Sequence, residues 1–123
     1  MKRQASRSVV RGMYKSTKTG RKEKYDSSYE LRRFIALDKS SLVKFWTKDH
    51  GIIIPYKSLR RKRKYYPDIL VEMNDGTKVL EEVKGYVWNK YSFGSKNISA
   101  LSYCQSKGYK YRVIFKEHLD IVE

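Results

Sequence analysis

The chain of 123 residues contains one cysteine, two histidines and two prolines. A lone Cys104 cannot close an intrachain disulfide, so no oxidising compartment is needed to staple the fold. Cys104 with His50 and His118 is too small a set for a structural zinc site. No apolar run approaches the roughly 20 residues that a membrane-spanning helix needs. The first residues are basic and lack the apolar stretch of a secretory signal. The expected location is therefore intracellular, in the cytoplasm, with no membrane partner. Acidic residues are scarce too: 13 Asp and Glu stand against 28 Lys and Arg, a formal net charge of +15.

What is present argues for a folded domain. Leu, Ile, Val and Phe number 29, about a quarter of the chain and above the range of disordered proteins. A basic domain of this kind suits a polyanionic partner, nucleic acid ahead of an anionic membrane. The charge is concentrated in two places. Residues 1–24 hold nine Lys and Arg and one acid, which predicts a basic flexible arm preceding one domain over 25–123. Arg60, Arg61, Lys62, Arg63 and Lys64 form an unbroken run. Outside these segments the charges nearly balance.

Local signals order the elements. Asp26-Ser27-Ser28 followed by Glu30 has the form of a capping box, and the spacing of Leu31, Phe34 and Ile35 predicts a helix over 27–39. Residues 42–46 are β-prone, 49–51 suit a turn, and 52–54 predict a strand ending before Pro55. Residues 65–73 read as a strand entered through Pro67. Asn74-Asp75-Gly76-Thr77 is a hairpin turn, and Lys78–Lys84 returns as its partner. An aromatic loop is expected over 86–95, with Tyr86, Trp88, Tyr91 and Phe93. Its aromatics serve either as stacking groups for bases or as lids on the core. Ser95 is placed as the cap of a helix over 96–107, ended by Gly108. A last strand over 109–115 and a short helical turn complete the order helix, strands, helix, strand.

The hairpin carries the chemistry. It folds Glu82-Val83-Lys84 back beside Pro67-Asp68, and residues two apart share a strand face. Asp68, Glu82 and Lys84 thus converge at one end, while Glu81 faces the other way. Glu72 lies further along, near the turn. Converging carboxylates repel unless a cation sits between them, and hard oxygen donors suit Mg²⁺ or Mn²⁺. Such an ion can polarise a phosphodiester and acidify a water, with Lys84 orienting that water or stabilising developing charge. The plain alternative for Glu-x-Lys is a solvated strand face. For Glu30 it is helix capping, and for Lys96, early in the second helix, a solvated lysine. Lys96 and the run at 60–64 are the expected phosphate contacts.

Glu30 on the first helix, Pro67-Asp68 and Glu82-Val83-Lys84 together resemble the PD-(D/E)XK nuclease superfamily. Ser28-Tyr29-Glu30, Ile54-Pro55-Tyr56, Tyr66-Pro67-Asp68 and Glu82-Val83-Lys84-Gly85 look most like the catalytic domain of TnsA-type transposon endonucleases and their small phage relatives. The resemblance spans roughly 25–115. It implies an α/β fold with a restriction-endonuclease-like αβββαβ core, a mixed central sheet flanked by helices. It also implies metal ligation by Asp68, Glu82 and Glu30, and catalysis by Lys84. TnsA-type enzymes carry a second domain that this sequence does not contain, so the expectation is a stand-alone nuclease of phage or mobile-element origin.

The expected function is a Mg²⁺-dependent DNA endonuclease that hydrolyses phosphodiesters with a metal-activated water. The rivals are a non-catalytic nucleic-acid-binding or packaging protein on a nuclease-like scaffold and a Holliday-junction resolvase. The partner is DNA, duplex or branched. A homodimer and phage or transposition proteins are compatible further partners. Nothing resembles a recognition helix, so structure-selective or weakly specific cleavage is expected.

Overall fold

Residues 11–84 and 90–123 are described in a computed structural model, apart from the side chains of 90–93. In chain order they form β1 (Gly12–Lys15), β2 (Lys22–Tyr25), α1 (Ser28–Lys39), β3 (Val43–Thr47), β4 (Ile54–Ser58), β5 (Arg61–Tyr65), β6 (Ile69–Met73), β7 (Lys78–Lys84), α2 (Lys90–Lys107) and β8 (Lys110–Phe115), then a 3-10 turn at Lys116–His118. The fold is mixed α/β. Among the described residues no helix is long and apolar enough to cross a membrane.

Strand alternation explains how the layers meet. One four-stranded sheet runs β3-β6-β7-β8. Its first two pairings are antiparallel and β7–β8 is parallel. A parallel neighbour needs a crossover, which here contains α2. Ile69, Val71 and Val79 pack on one face with Phe34 and Leu37 of α1 and with Trp46. Leu80 packs on the other with Ala100 and Cys104 of α2 and with Ile54 and Tyr65 of the β4–β5 hairpin.

The helix ends follow their sequence signals. Ser27 Oγ accepts the Glu30 backbone N–H at 3.2 Å, and the Glu30 carboxylate accepts the Asp26 N–H at 2.9 Å. At the far end of α2, Gly108 takes φ 74° and the Tyr109 N–H donates to the Cys104 carbonyl at 2.8 Å, which closes the last turn. The start of α2 differs from expectation. The helix already runs at Lys90, so Ser95 lies inside it and is no cap. Tyr86 and Trp88, expected in a loop, lie outside the described residues.

Two other expectations are corrected. Residues 11–24 are not a flexible arm. They form most of the β1–β2 hairpin, whose loop and first strand close on Asp38 of α1 (residues 1–10 lie outside the described residues). Asp38 accepts from Tyr14 Oη at 2.6 Å, Ser16 Oγ at 2.6 Å, Trp46 Nε1 at 2.7 Å and the Thr17 N–H at 2.8 Å. The strand expected at 52–54 instead begins at Ile54 and runs through Pro55 to Ser58. Proline is tolerated because this ribbon contains only two strands and leaves edges unpaired.

A buried ion pair joins α1 to the sheet. Arg33 and Glu81 are 0% and 1% exposed. Arg33 Nε and Nη2 donate to the two Glu81 oxygens at 2.8 and 2.7 Å. Its Nη1 donates to the Leu119 and Ile121 carbonyls at 2.9 and 2.7 Å. Removing one partner of such a pair strands a buried charge. Arg33→Ala is therefore expected to lose about 3–5 kcal/mol of unfolding free energy, read by urea denaturation. A loss below about 1 kcal/mol would show that the pair does not hold the layers.

Asp38 supplies a pH dependence. Burial would raise its pKa, but hydrogen bonds from Ser16, Tyr14 and Trp46 outweigh burial and hold it below the ordinary value. Burial and the facing Asp38 push the Tyr14 phenol up to about 12. A carboxylate with a depressed folded pKa stabilises the fold above its unfolded pKa, and this is lost as pH falls through the folded value. The stability advantage of the native chain over Asp38→Asn should be full above about pH 5 and vanish in strong acid. A gap independent of pH would contradict this.

Candidate active site

Asp68 and Glu82 come together because the β6–β7 turn sets the register. Gly76 takes φ 89° and lets the chain reverse, with Met73 N–H on the Thr77 carbonyl at 2.8 Å. Ile69 then lies across from Glu81, so Asp68 falls across from Glu82. Asp68 accepts the Val83 N–H at 2.7 Å. That bond spends one carboxylate oxygen on the backbone of the partner strand.

Glu82 is 5% exposed. Its Oε1 accepts from Tyr65 Oη at 2.7 Å. Its Oε2 faces Lys84 Nζ at 3.6 Å and Lys96 Nζ at 3.7 Å. Lys96 Nζ also sits 4.6 Å from the centre of the Tyr65 ring, a cation–π placement. Tyr65 Oη lies 3.2 Å from Tyr111 Oη, which donates to Asn97 Oδ1 at 2.9 Å. Burial, then the Glu82 charge, pushes the Tyr65 pKa up, so the phenol stays protonated and donates.

Glu30 approaches from α1 but is engaged elsewhere. Its Oε1 accepts from Lys48 Nζ at 2.8 Å as well as from the Asp26 N–H. Burial would lower the Lys48 pKa, yet Glu30, Asp68 and Asp26 outweigh it and hold the ammonium charged. Lys48 is itself placed by β2, since its N–H donates to buried Glu23 at 3.0 Å. The loop before β6 is pinned by His50. Its Nδ1 accepts the Ile52 N–H at 3.0 Å, which leaves Nε2 as the donor to the Pro67 carbonyl at 2.8 Å.

Every expected site residue can therefore be located. Asp68, Glu82, Lys84 and Lys96 meet at one end of the sheet, and Lys96 is no solvated lysine. Glu30 caps its helix and borders the site through Lys48. Among the described residues no three acidic, histidine or cysteine side chains form a metal cluster. Arg60, Arg61, Lys62, Arg63 and Lys64 are all exposed, Arg60 in the turn and the other four along β5, on the hairpin whose last residue, Tyr65, holds Glu82. Glu81 faces α1, and Glu72 pairs with Lys44 at 3.8 Å away from the site. The side chains of Tyr91 and Phe93 lie outside the described residues. Lys48, Tyr65, Tyr111 and His50 are not singled out by the sequence pattern. For Tyr65 the available signal is its place at the end of the basic run, just before Pro67-Asp68. Lys48 has none.

The donors suit a hard divalent cation. Asp68 has a strongly raised pKa, caused first by burial and then by the charges of Glu82 and Glu30. A divalent ion between Asp68 and Glu82 would relieve that repulsion, and Mg²⁺ commonly needs only one or two carboxylates plus waters. Compared with known proteins, the chain matches no family model and no curated protein.

The crowding of Asp68 has a measurable cost. A carboxyl whose folded pKa is raised favours the fold below its unfolded pKa and opposes it as pH rises toward the folded value. Asp68→Asn removes the charge while keeping the shape. It should melt above the native chain at pH 7, with the gap closing near pH 3–4. A lower melting temperature at pH 7 would show that Asp68 is not electrostatically opposed.

Proposed function

We propose that the chain is a metal-dependent DNA endonuclease of the PD-(D/E)XK type, akin to the catalytic domain of TnsA-type enzymes. The observation that carries this reading is the pairing of Asp68 and Glu82 across one hairpin end, with Lys84 and Lys96 both on Glu82 Oε2. The order α1, β3, β6, β7, α2, β8, with a parallel last pair, agrees with an αβββαβ core of restriction-endonuclease type. The exposed cations of β5 supply phosphate contacts close to the pair.

Mg²⁺ or Mn²⁺ held by Asp68 and Glu82 would polarise the scissile phosphate and make water more acidic. The chain's own groups do the rest. Tyr65 fixes the Glu82 carboxylate through its hydroxyl. Lys84 and Lys96 place positive charge where the phosphate gains negative charge during attack. Lys48 keeps Glu30 from adding a further unpaired charge beside Asp68. A second reading, a non-catalytic nucleic-acid binder, draws on one feature: Lys48, Lys84 and Lys96 already offset much of the acidic charge.

A cleavage panel separates the two readings. Linear duplex, supercoiled plasmid, single strand and a four-way junction are incubated with EDTA, Mg²⁺ or Mn²⁺. Cleavage is expected with either metal and none with EDTA. Asp68→Ala, Glu82→Ala and Lys84→Ala should each lower it at least about 100-fold, a loss of roughly 2.7 kcal/mol in transition-state stabilisation, while duplex affinity changes less than about threefold. Cleavage unchanged in all three variants would overturn the mechanism. Salt-dependent binding without cleavage of any substrate would favour the non-catalytic binder, and preference for the junction would make the enzyme a resolvase.

A further inference from the structure

The hairpin that carries the basic run has a tip that its residues do not favour. Ser58 pairs with Arg61, so Leu59 and Arg60 alone make the turn. Both have positive φ, 51° and 68°. Such a two-residue turn is the type I′ geometry that prefers Asn-Gly. Leucine has neither the freedom of glycine nor a polar group to bond the local backbone. The strained tip thus carries a leucine that packs against no core cluster among the described residues. Leu59 is 72% exposed.

The surroundings indicate what meets it. Lys57, Arg60, Arg61, Lys62, Arg63 and Lys64 are all exposed around the tip. The base of the hairpin is rigidly seated, with Ile54 and Tyr65 2% and 3% exposed against Ala100 and Cys104 of α2. The ribbon thus projects a leucine at its tip from a field of cations. An apolar protein partner would leave six charges uncompensated, whereas a phosphate backbone pairs with them and releases counterions.

We propose that Leu59 is a wedge that enters the minor groove of duplex DNA and parts two stacked base pairs. Cations on both strands of the ribbon hold the flanking phosphates, and the leucine replaces one stacking contact with its own apolar surface. This rests on DNA being the substrate of the proposed nuclease and gives that enzyme a means of deforming it. Tyr65, which holds Glu82, lies six residues along the strand from Leu59. At about 3.3 Å per residue the wedge sits at most about 20 Å from the Tyr65 backbone, at the end of the ribbon that faces the carboxylate pair.

The test uses the intact chain in EDTA with duplexes carrying 2-aminopurine at successive positions, whose fluorescence rises when the base unstacks. The native chain should raise it at least about threefold at one or more positions. Leu59→Gly and Leu59→Asn should bind with the same salt dependence and within about threefold of native affinity, yet leave the fluorescence at the level of free duplex. Leu59→Gly relieves the positive φ and should melt at or above the native temperature, so loss of signal there is not loss of fold. An equal rise with Leu59→Gly, no rise with the native chain, or no duplex binding would overturn the wedge. Unstacking that depends on Leu59 in a chain that cleaves nothing would support the wedge and overturn the endonuclease. Cleavage without unstacking would do the reverse.

Discussion

The buried pair between Arg33 and Glu81 sets the phase of β7, and the candidate site depends on that phase. Glu81 and Glu82 are adjacent in sequence, so the pleat must send them to opposite faces. A carboxylate held by a guanidinium in two bonds can occupy only the α1 face. Glu82 and Lys84 are then turned toward α2 and the β4–β5 hairpin, and Asp68 meets Glu82 from just before β6. A slip of one residue would exchange the two glutamates and turn Lys84 toward α1, away from the site. Arg33 also bonds carbonyls of the C-terminal segment, so one side chain ties helix, sheet and tail.

Around that frame the site is a balance of opposed charges. Asp68, Glu82 and Glu30 are drawn into one region by backbone geometry, not by mutual attraction. Lys48, Lys84 and Lys96 are placed by three different elements to offset them. The N-terminal hairpin contributes indirectly: Glu23 of β2 fixes the Lys48 backbone, and the Lys48 ammonium fixes Glu30. This gives the β1–β2 hairpin, anchored on Asp38, a part in shaping a site that none of its side chains touches among the bonds described. The arrangement is compatible with a metal at the carboxylate pair and phosphates on the lysines.

Much of this is legible in the amino-acid sequence, and the reasons are local. Asn74-Asp75-Gly76 specifies a reversal. The alternation in Lys78–Lys84 specifies faces, so the meeting of Asp68 with Glu82 and the turn of Glu81 to the opposite face follow from counting. The capping box at Ser27 and the glycine after α2 are equally local. What is not legible depends on distant partners. Residues 11–24 have the composition of a mobile arm, and only a carboxylate on α1 gathers their hydroxyls and backbone into a hairpin. Residues 61–64 of the basic run have little strand propensity, yet they form most of β5 because β4 offers a pairing edge and Tyr65 buries its end. Lys48 has no sequence signal because its role is conferred by Glu23 and Glu30. The resemblance to PD-(D/E)XK nucleases rests on short local motifs in the sequence.

The proposed function divides labour between neighbouring glutamates: Glu81 would hold the fold and Glu82 would do the chemistry. The most direct measurement compares Glu81→Gln and Glu82→Gln in parallel for melting temperature and for Mg²⁺-dependent nicking of supercoiled DNA well below both melting points. The account predicts that Glu81→Gln melts at least about 10 °C lower and still nicks within about threefold of the native rate. It predicts that Glu82→Gln melts within a few degrees of the native chain, about 4 °C or less, and nicks at least about 100-fold more slowly. Two variants that lose stability and activity together, or a Glu82→Gln chain that nicks normally, would contradict it.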